Sequence, residues 1–290
     1  MAQAVRLPPA DRHWEQLQPP GPVPAGRHGH CAGAAGRRMF VFGGRGADLL
    51  GDLWSFDLEA HHWEQLRPPG PAPAARQAHT AAMAGWRMLL FGGRGEDLLD
   101  DLWSFDLQAH RWERLLPPGP APAKRQHHSA AVAGQRLLLF GGYGGQDVLD
   151  DLWSFDLQAH RWERLRPPGP APMKRFGHTV AVATGLFGRE MLLFGGDSGE
   201  PANSVLDDLW SFDLQAQRWE KPRPPGPVPM KRFGHSAAAT GQRMLLFGGY
   251  GTGLRKLCGS PLCSCCPPLS PFFCEREHSA LAVGEVEEAG

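Results

Sequence analysis

Short apolar runs alternate with polar turns along most of the chain, and residues 126–165 show the pattern well. HSAAVA (His128–Ala133) is a run of small residues, and RLLLF (Arg136–Phe140) is continuously apolar up to Gly141 and Gly142. DLWSFDL (Asp151–Leu157) then alternates, with Trp153, Phe155 and Leu157 on one side and Leu152, Ser154 and Asp156 on the other. After the polar QAHR, WERL (Trp162–Leu165) follows. These runs predict four strands in an antiparallel meander, the second covered on both faces. Alone, such a sheet would leave two apolar faces wet. Identical units must therefore stack face to face around an axis.

The pattern recurs. RWERL or a near copy places Trp14, Trp63, Trp112, Trp162 and Trp219 at intervals of 49, 49, 50 and 57, a period of about fifty. An FGG triplet ends at Gly44, Gly93, Gly142, Gly196 and Gly249, and DLWSFDL fixes Trp54, Trp103, Trp153 and Trp210. Of the ten tryptophans only Trp86 falls off the cycle. The longest interval holds two insertions, TGLFGRE (184–190) and DSGEPANS (197–204), both expected in loops between strands. The paired glycines are expected to turn the chain sharply at positive φ. PPGPAP (Pro117–Pro122) and its copies, poor in N–H donors, are expected as stiff crossovers between units rather than as docking segments for proline-binding modules.

With RWERL, FGG and DLWSFDL in fixed order, residues 13–250 resemble the kelch-repeat β-propeller family. Gly141/Gly142 and the aromatic pair Trp153 and Trp162 match its diagnostic marks, and the tryptophan in the third strand resembles kelch proteins that act as Rab effectors, polarity factors and transcriptional cofactors. The fold expected is all-β: four complete four-stranded blades at about 28–66, 77–115, 126–165 and 176–220, and a partial fifth at 233–250. The lone outer strand His13–Leu17 is suited to closing that fifth blade, and residues 1–12 form an extension. After Tyr250 the chain leaves the repeat for a Cys/Pro-rich tail (251–290), expected to be poorly ordered, which suggests a truncated or alternatively spliced relative of a larger propeller.

Composition narrows the chemistry. With 30 basic and 30 acidic residues the formal charge is zero, which disfavours general nucleic-acid binding. No apolar run approaches a membrane span and the polar start carries no secretory signal, so a cytoplasmic protein is expected, with a nuclear location open. The tail cysteines Cys258, Cys263, Cys265, Cys266 and Cys274 lack paired C-x₂-C spacing, and no metal site or cofactor is expected. Kelch relatives include copper radical oxidases built on a cross-linked tyrosine. Here the only tyrosines are Tyr143 and Tyr250, directly after Gly-Gly, and Cys31 is the sole cysteine before the tail. No nucleophile elbow, Walker loop or HExxH motif occurs, and no catalytic role is expected.

Each period opens with Arg-x-x-His: Arg27/His30, Arg76/His79, Arg125/His128, Arg175/His178 and Arg232/His235. Histidines spread around a ring are expected to bond neighbouring blades, since one metal ion needs converging ligands. The arginines are expected at the mouth of the central channel beside Arg45, Arg94, Tyr143 and Tyr250 of the post-glycine loops. Two readings stand. The set binds an acidic peptide or carboxyl group of a partner protein, or each arginine pairs with an aspartate of the LDD segment such as Asp101, Asp151 or Asp208. Blade-by-blade recurrence favours the second. The function expected is a non-catalytic interaction scaffold, with a regulatory truncated form or a small-molecule site as alternatives.

Overall fold

A computed structural model describes residues 17–185, 188–200, 204–241, 243–251 and 282–284. The expected closing strand His13–Leu17 lies, apart from Leu17, outside the described residues, as do the tail cysteines. Blade 1 is built from β1 (Cys31–Ala35), β2 (Arg38–Arg45), β3 (Leu49–Asp57) and β4 (His62–Leu66). Blade 2 follows with β5 (Thr80–Ala84), β6 (Arg87–Arg94), β7 (Leu98–Asp106) and β8 (Arg111–Leu115), and blade 3 with β9 (Ser129–Ala133), β10 (Arg136–Tyr143), β11 (Val148–Asp156) and β12 (Arg161–Leu165). Blade 4 comprises β13 (Thr179–Gly185), β14 (Gly188–Phe194), β15 (Leu209–Asp213) and β16 (Arg218–Glu220). Blade 5 has β17 (Ser236–Thr240), β18 (Arg243–Phe247) and β19 (Ala282–Gly284). Blades 1 to 4 are four-stranded antiparallel meanders and blade 5 is three-stranded, so the β-propeller architecture read from the repeat holds.

Three local expectations are corrected. In blades 1 to 3 the paired glycines do not end the second strand: β10 runs through Gly141 and Gly142 to Tyr143, with a bulge in its register to β11 after Phe140, whereas β14 and β18 end at Phe194 and Phe247 as expected. Both glycines take positive φ, and a Cβ on Gly141 would lie 2.7 Å from the carbonyl oxygen of Arg175 in the next blade. The glycine thus serves close approach between blades as well as the bulge. The insertion TGLFGRE is not simply a loop, because Thr184 pairs with Arg189 and Gly185 with Gly188, lengthening the β13–β14 hairpin. Finally, the tail contributes one described strand to blade 5. Its β19 pairs with β18 from Leu246↔Ala282 to Met244↔Gly284, because a strand edge carries unpaired N–H and C=O groups that small residues can approach.

The core lies between blades, not within them. Alternation sends Phe40 and Phe42 of β2 into the seam with blade 2, where they meet Met88, Leu90, Phe105 and Trp112. The same seam recurs between blades 2 and 3 and between blades 3 and 4. The FGG phenylalanines of blades 1 to 3 stand edge-on to the fourth-strand tryptophan of the next blade: Phe42–Trp112 at 5.2 Å, Phe91–Trp162 at 5.4 Å and Phe140–Trp219 at 5.5 Å. The histidines complete these seams. His128 Nε2 lies 2.8 Å from Thr80 Oγ1, His235 Nε2 lies 2.7 Å from Thr179 Oγ1, and His79 Nε2 meets Cys31 Sγ at 2.9 Å.

Backbone hydrogen bonds tie the same seams. The amides of Gly44, Gly93, Gly142 and Gly196 donate to the carbonyls of Arg76, Arg125, Arg175 and Arg232. A second row passes from Gly234 through Gly177, His127 and Ala78 to Gly29, crossing all five blades. Among the described residues, no further blade packs on the outer faces of blades 1 and 5. Blade 1 presents Met39, Val41 and Trp63, with Leu17, Pro19 and Val23, around a cavity of about 510 Å³. Blade 5 leaves Leu245 and Phe247 exposed.

Candidate partner-binding face

The arginine before each inner strand points into the sheet. Arg125 donates from Nε to Ala123 O at 2.9 Å, from Nη1 to Gly141 O at 3.0 Å, and as a two-pronged fork to Asp151 at 2.6 and 2.8 Å. Arg76 with Asp101, Arg175 with Asp208 and Arg27 with Asp52 repeat this arrangement. Each aspartate also accepts the indole N–H two residues on, as Asp151 does from Trp153 at 2.7 Å. Burial by itself would raise these carboxyls. The arginine hydrogen bond and charge, together with the indole donor, outweigh it and hold them below the usual aspartate value.

The expectation of an open basic ring is therefore corrected at four positions. Arg76, Arg125 and Arg175 are wholly buried, Arg27 nearly so, and the guanidinium forks of all four are filled by the chain's own aspartates. The blade-locking alternative describes them, because the LDD aspartate of the third strand reaches the same point as the arginine before the first.

Arg232 differs. It is 8% exposed and oriented like the others, with Nε on Met230 O at 3.1 Å and Nη1 on Gly248 O at 2.8 Å. Among the described residues no carboxylate meets it, since the third strand of blade 5, β19, is Ala-Val-Gly and not an LDD strand. Among the described residues it is a positioned fork that meets no acid.

The post-glycine residues do converge on one end of the array. Arg45, Arg94, Tyr143 and Tyr250 each bridge backbone to the residue after an inner arginine: His28, Gln77, Gln126 and Phe233. Antiparallel pairing places the end of each second strand beside the start of the first, so these four positions repeat around the same rim. Arg45 is exposed, and Arg94, Tyr143 and Tyr250 are half-buried. The rim is split by chemistry. Blades 1 and 2 give the two arginines, whereas blades 3 to 5 give an aromatic row in which Tyr143 lies 6.4 Å from Phe176, Phe176 6.5 Å from Phe233, and Phe233 5.8 Å from Tyr250.

Sequence reasoning missed Phe176 and Phe233, although both follow an inner arginine in phase and could have been found by aligning that column. It also missed Asp197, which holds the rim position in blade 4, bridges Phe176, and is 1% exposed.

The seam histidines are electrically silent. Burial first, then the neighbouring Arg76 charge, pulls His79 down to about 3, while burial and Arg232 bring His235 to about 4. His128 and His178 are lowered in the same way by burial and by Arg125 and Arg175. Neutral imidazoles therefore fill the seams. Among the described residues no three His, Cys, Asp or Glu side chains converge as a metal site, and no helix is long and apolar enough to cross a membrane.

Stacked four-stranded blades, FGG bulges and seam tryptophans define a kelch-type β-propeller. The model of the KLHDC2/KLHL20/DRC7 Kelch-repeats domain matches residues 3–187 and 183–258, and the chain belongs to that family. Relatives include human Host cell factor 2, 43% identical over 61 residues, which are 21% of this chain and 7% of that protein. Kelch domain-containing protein 3 of Bos taurus is 37% identical over 68 residues, 23% of this chain and 17% of that protein. The Rho GTPase-activating protein gacHH of Dictyostelium discoideum is 39% identical over 66 residues, 22% of this chain and 4% of that protein. The matched stretch thus spans less than a fifth of each relative. Kelch-repeat domains of this kind mediate protein–protein interaction.

Proposed function

We propose that the chain is a non-catalytic interaction scaffold that holds an acidic segment of a partner protein across the rim, between the arginines of blades 1 and 2 and the aromatic row of blades 3 to 5. One observation carries this reading. Four of five inner arginines are satisfied internally, so the rim keeps Arg45 and Arg94, Arg232, which no carboxylate meets among the described residues, and the aromatics Tyr143, Phe176 and Tyr250. Arginine forks recognise carboxylates, and rigid aromatics add contact area at low entropic cost. The repeat recurs blade by blade, which suits positioning better than a singular acid–base pair.

Affinity purification of the intact chain from cells, compared with an Arg45→Glu/Arg94→Glu variant, tests the reading by mass spectrometry. Both side chains lie on the rim outside the seams, so the fold is expected to persist. Acidic partners should fall by about tenfold or more, the scale of a lost interface anchor. An unchanged partner set would place the interaction elsewhere.

A further inference from the structure

The four complete blades state what the fifth lacks. In each, the inner arginine fork closes on an aspartate of the third strand, and that aspartate accepts the indole N–H two residues later: Asp52 with Trp54, Asp101 with Trp103, Asp151 with Trp153, and Asp208 with Trp210. Blade 5 keeps the receiving half. Arg232 is more than nine-tenths buried and fixed by Met230 O and Gly248 O, and its Nη2 corner meets no acceptor among the described residues. The edge of β18 is only part-used, because β19 pairs with three of its residues where β11 pairs with seven of β10. β19 is Ala-Val-Gly and brings neither an aspartate nor a tryptophan.

The geometry points to a docking site for an extended partner segment that carries an aspartate two residues before a tryptophan, added to blade 5 as its third strand. This rests on the scaffold reading above and names the partner chemistry at one end of that rim. The incoming strand pairs antiparallel with β18, displacing the short β19, and its aspartate takes the Arg232 fork as Asp151 takes Arg125. Main-chain pairing supplies affinity and the buried ion pair supplies selectivity. A strand without the acid leaves Arg232 as it is now, so the carboxylate decides between partners.

The test uses the intact chain and a labelled peptide of residues 148–157, VLDDLWSFDL, with fluorescence anisotropy as the readout. Saturable binding is expected, weakened about tenfold or more in the peptide with Asp151→Asn, the scale of one lost charge-assisted pair. This comparison leaves the protein untouched, so it does not depend on how a variant folds. In the chain, Arg232→Gln should erase the difference between the two peptides and Arg232→Lys should restore part of it. Absence of saturable binding, as when the chain's own tail or a second copy holds the edge, overturns the proposal, and so does equal binding of both peptides. The scaffold reading would survive either result provided the Arg45→Glu/Arg94→Glu variant loses its partners.

Discussion

At the scale of single residues, the ion pairs inside the blades are the most exacting feature. Arg125 makes four hydrogen bonds with no exposure to water, so removing it takes a donor from Gly141 O and Ala123 O and leaves the Asp151 carboxylate only the Trp153 indole N–H. Arg125→Met should cost about 3–5 kcal/mol, the range for stripping one partner from a buried pair, read as a fall in the urea midpoint at unchanged slope. The sequence made this pair legible as an alternative, because arginine and aspartate recur in phase. It did not make the choice legible. Whether a guanidinium faces solvent or its own carboxylate depends on how a third strand lies against the start of a first, and that is a property of the assembled sheet. The same limit explains Arg232, whose difference from its four counterparts comes from the third strand beside it, β19, which is Ala-Val-Gly and carries no aspartate, not from its own neighbours in sequence.

At the scale of elements, the FGG bulge shapes the second strand of blades 1 to 3. Gly141 and Gly169 both sit at positive φ, but a Cβ on Gly169, in the proline-rich crossover, meets nothing within 4 Å, whereas one on Gly141 strikes the Arg175 carbonyl. Gly169→Ala should therefore cost about 1 kcal/mol from backbone conformation, and Gly141→Ala at least about 2 kcal/mol because it also prises open a seam. Thermal unfolding of the two variants measures the difference. Strand identity and order were readable because the apolar run, the alternating run and the tryptophans repeat in phase. Strand ends were not. β11 begins at Val148, three residues before the predicted start, because Leu149 and Val148 still pair with Gly142 and Tyr143 across the bulge. The β13–β14 hairpin absorbed an insertion for a related reason: extra residues at a hairpin tip can go on pairing.

At the scale of the whole molecule, the seams make stability sensitive to acid. His79 and His235 are neutral when folded, with values of about 3 and about 4 against 6.5 for the free side chain. Below pH 6.5 the unfolded chain takes up protons that the folded chain refuses, so this part of the stability is intact above 6.5 and declines as pH falls toward the folded values. Each such histidine adds a slope of about 1.4 kcal/mol per pH unit, and the lowered aspartates Asp52, Asp101, Asp151 and Asp208 prolong the loss below 3.8. Melting at about pH 5 should come well below melting at about pH 7.5, and His79→Gln, which keeps a donor near Cys31, should flatten the dependence by one proton. The seams carry one further consequence. The junctions between blades 1 and 2, 2 and 3, and 3 and 4 join the same two unlike half-faces, FGG phenylalanine on one side and tryptophan with histidine on the other. Excising or duplicating one whole period leaves all remaining junctions matched, while a change of half a period leaves two like faces opposed. The blade number of such a chain can thus drift in single genetic steps, but only in whole units.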